Sequence, residues 1–195
     1  MDYLSGWCKS QRRLDGHTAI ITGSNAGIGR ETASDLYSRG ARVIIACRNI
    51  EKAKEAKKII ISENECREGT GTLDIEYLDL CSLQSVRECA FRILQKETKI
   101  QILINNAGVM MCPEGRTEDG FETQFGSNHL AHASFTLLLL PRLIQSGPSR
   151  IVWVSSMLYC IYTANFDDVN YKKHSIAHYT HTRVANWRIF CLPKL

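Results

Sequence analysis

A glycine-rich segment near the N-terminus, residues 22–29, carries the residue types best suited to holding a charged ligand. It reads TGSNAGIG, follows a β-branched run at 18–22 and precedes a helical pattern at 30–38. Glycines at a strand-to-helix turn let the chain bend sharply and let backbone N–H groups approach a diphosphate. Glycines also mark ordinary turns, but the placement between a buried strand and a helix favours phosphate binding. The residues expected there are Thr22, Gly23, Ser24, Asn25, Gly27, Ile28 and Gly29.

The elements that must position this segment alternate along the chain. Short apolar or β-branched runs predict strands at 18–22, 41–47, 75–78, 100–105 and 150–155. Helical spacing predicts helices at 30–38, 51–62, 83–98 and 176–190, with one long helix or a broken pair at 121–146. This alternation is typical of βαβ units and a parallel sheet. We therefore expect an α/β fold with a Rossmann-type doubly wound sheet, as one domain over 17–195 after a polar lead-in at 1–16.

A second motif, NNAG at 105–108, ends the fourth predicted strand. Together with the GxxxGxG spacing after Thr22, it resembles the signatures of the short-chain dehydrogenase/reductase family. The segments ACRN (46–49), LINNAGVMMCP (103–113), DGFET (119–123) and NHLAH (128–132) are similar to the retinol dehydrogenase-like branch. The resemblance covers nearly the whole chain. It implies a nicotinamide dinucleotide cofactor, with contacts from Asn106, Ala107 and Gly108.

The residues after the second predicted strand indicate which nucleotide to expect. Family members that prefer NAD carry an acid there, whereas this chain has Cys47 and then Arg48. A guanidinium can bind the 2′-phosphate of NADP in a forked geometry, and Arg30 is a second candidate. Both arginines could instead be solvated surface residues, but the pattern favours NADP(H). Asp79 resembles the residue that meets the adenine, with Leu80 beside it in the cofactor site, although Asp79 could also simply form a turn.

The resemblance also implies a catalytic set for hydride transfer between the nicotinamide and a carbonyl or alcohol carbon. Tyr179 matches the residue that exchanges the proton, Ser156 the one that orients the substrate oxygen, and Asn128 the member of a water-linked proton relay. A tyrosine with its ordinary pKa near ~10 is a poor base at neutral pH, so a nearby cation is needed. The family has lysine at that position, and this chain has Arg183. Arginine keeps the positive charge but is larger and planar, so we expect a weakened site.

Composition narrows the remaining classes of function. The net charge is +4, and the basic residues are scattered, which argues against nucleic-acid binding. The eight cysteines form no CxxC pair and no secretory signal precedes them, so we expect reduced thiols and a cytoplasmic location. No short-spaced Cys/His cluster suggests a metal. No apolar stretch is long enough for a membrane anchor, which leaves peripheral membrane association open.

The C-terminal end is the last informative feature. The resemblance implies that family members continue beyond the position of Leu195 with further strands and a substrate lid. We therefore expect a C-terminally incomplete fold of about five strands and a last helix, from a fragment, a short isoform or a defective copy. The leading hypothesis is an NADP(H)-dependent oxidoreductase for a hydrophobic, retinol-like alcohol and its aldehyde or ketone. The alternative is a non-catalytic nucleotide-binding or interaction protein that pairs through two long helices as a homodimer.

Overall fold

The computed structural model describes residues 10–156 and residue 170. In this part of the chain, parallel strands form a five-stranded sheet in the order β3-β2-β1-β4-β5. The strands are β1 (Thr18–Thr22), β2 (Arg42–Cys47), β3 (Thr72–Tyr77), β4 (Ile102–Asn105) and β5 (Arg150–Trp153). Every residue of the central strand β1 is buried, as expected for a parallel strand that is covered on both faces.

The connections between the strands are helical. The helices are α1 (Gly27–Ser38), α2 (Ile50–Glu63), α3 (Leu83–Lys96), α4 (Thr123–Phe125) and α5 (Ala131–Gln145), with a π-helical segment (Gly126–Leu130) between the last two. The side chain of Asn49 caps α2 by accepting a hydrogen bond from the Lys52 N–H at 2.9 Å. No side chain caps α1. The N–H groups of its first turn are therefore left for other partners at the glycine-rich turn.

Two apolar cores lie on opposite faces of the sheet. Successive residues of β1 point to opposite faces, so Ile20 belongs to the core with Phe135 of α5, while Ile21 belongs to the core with Ala33 of α1. Helices α3 and α5 cover the first face, and α1 and α2 cover the second. The predicted α/β, doubly wound, Rossmann-type sheet is confirmed.

The third strand is longer than the pattern at 75–78 predicts. It begins at Thr72 because its polar side chains find charged partners. Asp74 pairs with Arg42 at 3.0 Å, and the buried carboxylate of Glu76 pairs with Arg92 at 3.0 Å. These ion pairs let acidic residues occupy a strand that would otherwise need apolar ones.

Of the two alternatives predicted at 121–146, one long helix or a broken pair, the structure shows the broken pair. Helix α4 and helix α5 are joined by the π-helical segment Gly126–Leu130, in which the backbone takes an extra residue per turn. Segments of this kind are frequent at functional sites, and this one contains Asn128. The predicted helix at 176–190 lies outside the described residues.

Candidate functional site

A cleft of about 530 Å³ lies where β1, β2 and β4 end. The helix after β1 packs on one face of the sheet and the helices after β4 pack on the other, so a crevice forms between these strand ends. Five segments contribute to the lining of the cleft: Gly23 to Gly29 except for Ser24 and Gly27, Ala46 to Asn49 with Lys52, Leu78 to Cys81, Asn106 to Val109, and Ser127 with Asn128. Both sequence motifs therefore face the same space.

The two motif turns are locked together through Thr22. Its hydroxyl oxygen accepts hydrogen bonds from the backbone N–H groups of Asn106 at 2.9 Å and Ala107 at 3.0 Å. The side-chain amide of Asn106 donates in return to the Thr22 carbonyl at 2.9 Å. A Cβ on Gly23 would lie 2.8 Å from the Ala107 backbone, so only glycine fits there. Thr22 itself is fully buried, and it supports the wall of the cleft from the interior of the protein.

Two further glycines have different roles in the first turn. A Cβ on Gly29 would lie 2.7 Å from the carbonyl oxygen of Gly23, so this glycine lets α1 begin directly against the turn. Gly27 has a φ of +53°, a conformation that favours glycine, and a Cβ there would meet nothing within 4 Å. The turn therefore presents bare backbone to an open space at the start of α1.

The structure brings most of the predicted cofactor residues to the cleft. Those that line it are Gly23, Asn25, Ile28, Gly29, Arg48, Asp79, Leu80, Asn106, Ala107 and Gly108. Ser24 is buried and donates its hydroxyl to the Ile21 carbonyl at 2.8 Å, so its side chain braces the turn. Arg30 does not line the cleft and forms an ion pair with Glu31 at 2.6 Å.

Positive charge stands at the end of β2. The Arg48 side chain is 69% exposed, and its guanidinium lies 3.9 Å from the Asp79 carboxylate, a distance too long for a tight ion pair. Asp79 also accepts a hydrogen bond from the Cys81 N–H at 2.8 Å, so it forms a turn while facing the cleft. Lys52, in the first turn of α2, lines the same region, although no motif indicated it. Its position four residues after Arg48 was the available signal.

Asn128 lies on the cleft, and its side-chain amide binds the chain that follows the NNAG turn. The amide oxygen accepts from the Val109 N–H at 2.9 Å and from the Ser127 hydroxyl at 3.2 Å. The amide nitrogen donates to the Val109 carbonyl at 2.8 Å. Asn128 therefore clamps the chain that leaves the NNAG turn.

His132 ends the NHLAH segment, but no role in the site was predicted for it from the sequence. It is 1% exposed, in the first turn of α5, and its Nε2 lies 2.8 Å from the Thr22 hydroxyl oxygen. Its Nδ1 lies 2.9 Å from the carbonyl oxygen of Asn128. Burial lowers the pKa of His132 to about 4, so the ring is neutral at physiological pH. The sequence signal was its spacing of four residues from Asn128 along a helix.

The predicted catalytic residues of the C-terminal part are only partly described. Ser156 follows β5 and is half-buried. The backbone just before it continues the sheet, because the Val154 N–H donates to the Asn105 carbonyl at 3.0 Å. Tyr179 and Arg183 lie outside the described residues, so their placement beside Ser156 stays a prediction.

Comparison with known families decides the identity of this arrangement. The model of the family described as short chain dehydrogenase matches residues 17–182. The chain belongs to the short-chain dehydrogenase family. Human retinol dehydrogenase 13 is 45% identical over 188 residues, which cover 94% of this chain and 56% of that protein. Human retinol dehydrogenase 14 is 48% identical over 166 residues, or 80% of this chain and 49% of that protein.

These matches identify a retinol dehydrogenase-like member of this oxidoreductase family, as the motifs predict. The chain spans about half the length of these curated relatives, 56% and 49%. A solved structure of a Mycobacterium paratuberculosis protein is 35% identical, with a TM-score of 0.77, over 93% of this chain and 62% of that one. A metagenomic short-chain oxidoreductase in complex with NADP shares the fold, at 23% identity and a TM-score of 0.66, over 90% of this chain and 73% of that one.

Within residues 10–156 and 170, none of the helices is both long and apolar enough to cross a bilayer. The same residues contain no group of three or more His, Cys, Asp or Glu side chains arranged to hold a metal ion. The five cysteines of this part are free thiols.

Proposed function

We propose that this protein is an NADP(H)-dependent oxidoreductase that interconverts a hydrophobic, retinol-like alcohol and its aldehyde or ketone. The observation that carries the proposal is the interlocking of the two motif turns around one cleft, with cations rather than a carboxylate at the end of β2. The locked turns fit a dinucleotide because Gly27 leaves bare backbone and open space at the start of α1.

The charge distribution supports NADP(H) over NAD(H). A 2′-phosphate at the end of β2 would meet the exposed guanidinium of Arg48 and the ammonium of Lys52, next to the N-terminus of α2. Arg30 would first have to leave Glu31, so we assign the second phosphate contact to Lys52 in preference to Arg30. An NAD-specific site would instead need a carboxylate to accept the ribose hydroxyls.

The chemistry follows from the predicted catalytic residues. Bound NADPH would supply the hydride for reduction of a carbonyl carbon. Tyr179 would donate the proton to the carbonyl oxygen, and Ser156 would orient that oxygen. The positive charge of Arg183 would lower the pKa of Tyr179 and so ease the proton transfer. Asn128 would take part in the proton relay while its side-chain amide also holds Val109 by two hydrogen bonds.

The loop after the NNAG turn supports a hydrophobic substrate. Val109 lines the cleft, and Met110 and Met111 follow it with exposed side chains. Asn128 holds the start of this loop by two hydrogen bonds to Val109, so the loop is fixed where it leaves the cleft. Methionine side chains adapt to irregular apolar surfaces, which suits a long hydrocarbon alcohol or aldehyde.

One observation favours a second candidate function. Arg183 replaces the lysine that the family pattern places after the tyrosine. Its planar guanidinium has a different shape and hydrogen-bonding geometry from an ammonium, so binding of NADPH could persist without turnover. The second candidate is therefore a non-catalytic nucleotide-binding protein, which could act through pairing with a second copy.

The two functions are separated by one experiment. The full chain is incubated with NADPH and all-trans-retinal, and the nicotinamide absorbance is followed in the wild type, Tyr179→Phe and Tyr77→Phe. Tyr77 lies on the exposed edge strand β3 and provides the matched control. Turnover that is lost in Tyr179→Phe and kept in Tyr77→Phe supports the oxidoreductase. Saturable NADPH binding with no turnover in the wild type would replace it with the second candidate.

A further inference from the structure

His132 is a buried titratable side chain for which the proposed chemistry has no use. Both of its ring nitrogens are nevertheless within hydrogen-bonding distance of groups that build the cleft. Nε2 lies 2.8 Å from the hydroxyl oxygen of Thr22, and Nδ1 lies 2.9 Å from the carbonyl oxygen of Asn128. The side chain therefore touches the start of the glycine-rich turn on one side and the π-helical segment on the other.

The positions of the protons follow from what each partner can do. A carbonyl oxygen only accepts, so Nδ1 must carry a proton and donate it to Asn128. The Thr22 hydroxyl oxygen already accepts from the N–H groups of Asn106 and Ala107, which occupy its two lone pairs. Its own proton is left to be donated, and Nε2 of His132 is the acceptor. His132 is thus the neutral Nδ1–H tautomer.

With this tautomer, the ring of His132 can orient the hydroxyl of Thr22. The Thr22 hydroxyl can rotate, and it accepts from the second motif turn only while its proton points away from that turn. The lone pair of Nε2 holds the proton there. Simultaneously, the Nδ1–H holds the carbonyl of Asn128 and hence the segment whose side chain clamps Val109. Three of the five segments that line the cleft meet at this chain of contacts, namely the glycine-rich turn, Asn106 to Val109, and Ser127 with Asn128.

We propose that His132 is a positioning residue for cofactor binding, which orients the Thr22 hydroxyl so that the two motif turns stay locked. It does not contact the cofactor, and it acts through Thr22 and Asn128. The inference deepens the proposed function, since the bound species is NADPH. The tautomer itself does not depend on that function.

Substitutions of His132 that remove both ring nitrogens, or that replace one of them, test this positioning role. In His132→Leu both hydrogen bonds are lost, and we expect NADPH to bind about tenfold more weakly, because a buried hydroxyl loses its acceptor. In His132→Gln an amide oxygen can take the place of Nε2, and we expect most of the affinity to return. In His132→Asn an amide can replace only Nδ1, so we expect a smaller recovery. Thr22→Val should weaken binding as His132→Leu does, and Thr22→Ser should not.

A control separates positioning from simple loss of stability. Leu139 is fully buried on the same helix, two turns further along, and its core cluster includes no residue of either motif turn. Leu139→Ala should lower the melting temperature at least as much as His132→Leu while leaving the Kd for NADPH unchanged. Equal losses of affinity in Leu139→Ala and His132→Leu, or no recovery in His132→Gln, would overturn the positioning role.

Nitrogen NMR of the histidine rings in the full chain provides the test that is independent of the cofactor. We expect one histidine with a protonated Nδ1 and an unprotonated Nε2 at neutral pH, assigned by its disappearance in His132→Gln. A protonated Nε2 on this ring would refute the hydrogen-bond network in which Nε2 accepts from the Thr22 hydroxyl. A wild-type chain that shows the expected tautomer but does not bind NADPH would overturn the proposed function and the positioning role while leaving the hydrogen-bond network in place.

Discussion

Acidification should destabilise this protein through His132, and the structure gives the size of the effect. Burial lowers the pKa of His132 to about 4, whereas in the unfolded chain it returns to 6.5. Below pH 6.5 the unfolded chain binds a proton that the folded chain does not accept. The stabilisation is therefore complete above the unfolded pKa and is lost as pH falls toward the folded pKa.

The magnitude follows from the span between the two pKa values. Each unit corresponds to about 1.4 kcal/mol, so the folded state loses about 2 kcal/mol by pH 5 and about 3 kcal/mol by pH 4. Such a loss is a large part of the stability of an ordinary domain, which is about 5–15 kcal/mol. The neighbouring His129, whose pKa burial also lowers, adds to the loss in the same direction.

Urea unfolding of the wild type and His132→Gln at about pH 7.5 and 5, followed by tryptophan fluorescence, measures the effect. Glutamine does not titrate, and His129 is present in both proteins, so the difference between the two pH dependences isolates His132. The wild type should lose about 2 kcal/mol more than the variant over this range. Equal losses in the two proteins would refute the assignment of His132 as a buried neutral base.

Four other substitutions probe the cleft and the sheet. Arg48→Glu and Lys52→Glu should each weaken NADPH binding about tenfold or more and leave NADH binding unchanged, because only the 2′-phosphate loses its cation. Fluorescence titration with both nucleotides measures the two affinities. An equal loss of affinity for NADPH and NADH would contradict the prediction. Gly29→Ala should abolish tight binding of either nucleotide, because its methyl group would lie 2.7 Å from the Gly23 carbonyl, and calorimetric titration would detect any retained binding. Glu76→Ala should lower the free energy of unfolding by about 2 kcal/mol, since it removes a buried carboxylate from its ion pairs, with an unchanged Kd for NADPH; a matching loss of affinity would mean that β3 and the cleft are coupled.

Local patterns were enough to predict the sheet and the first turn. β1 is a run of β-branched and apolar residues buried on both faces, and Gly27 and Gly29 mark the turn after it. The alternation of such runs with helical spacing predicted the parallel sheet. The start of β3 escaped this reasoning because Asp74 and Glu76 are balanced by Arg42 and Arg92, which are distant in sequence.

The hydrogen-bond network behind the cleft could not be predicted in the same way. Thr22 was expected to contact the phosphates, but its hydroxyl is turned to the second motif turn, 84 positions further along. His132 is 110 positions from Thr22, and no local pattern shows that the two meet. Lys52 was missed for a different reason, since it lies in the first turn of α2 and outside both motifs. The π-helical segment likewise depends on packing that periodicity does not encode.

The lock between the two motif turns also sets the order in which this protein can be assembled. When the ribosome has delivered β1, α1 and β2, the glycine-rich turn exists as sequence but has no partner to hold it. Asn106 supplies the hydrogen bonds that hold this turn, and His132 supplies the acceptor for the Thr22 hydroxyl. The cleft can therefore form only after contacts that span most of the described chain have been made. A nucleotide can stabilise only a fold that already has its binding site, so it stabilises the products of the last steps of folding and not those of the first. Nascent chains shorter than about 132 residues should gain no protection from NADPH during synthesis.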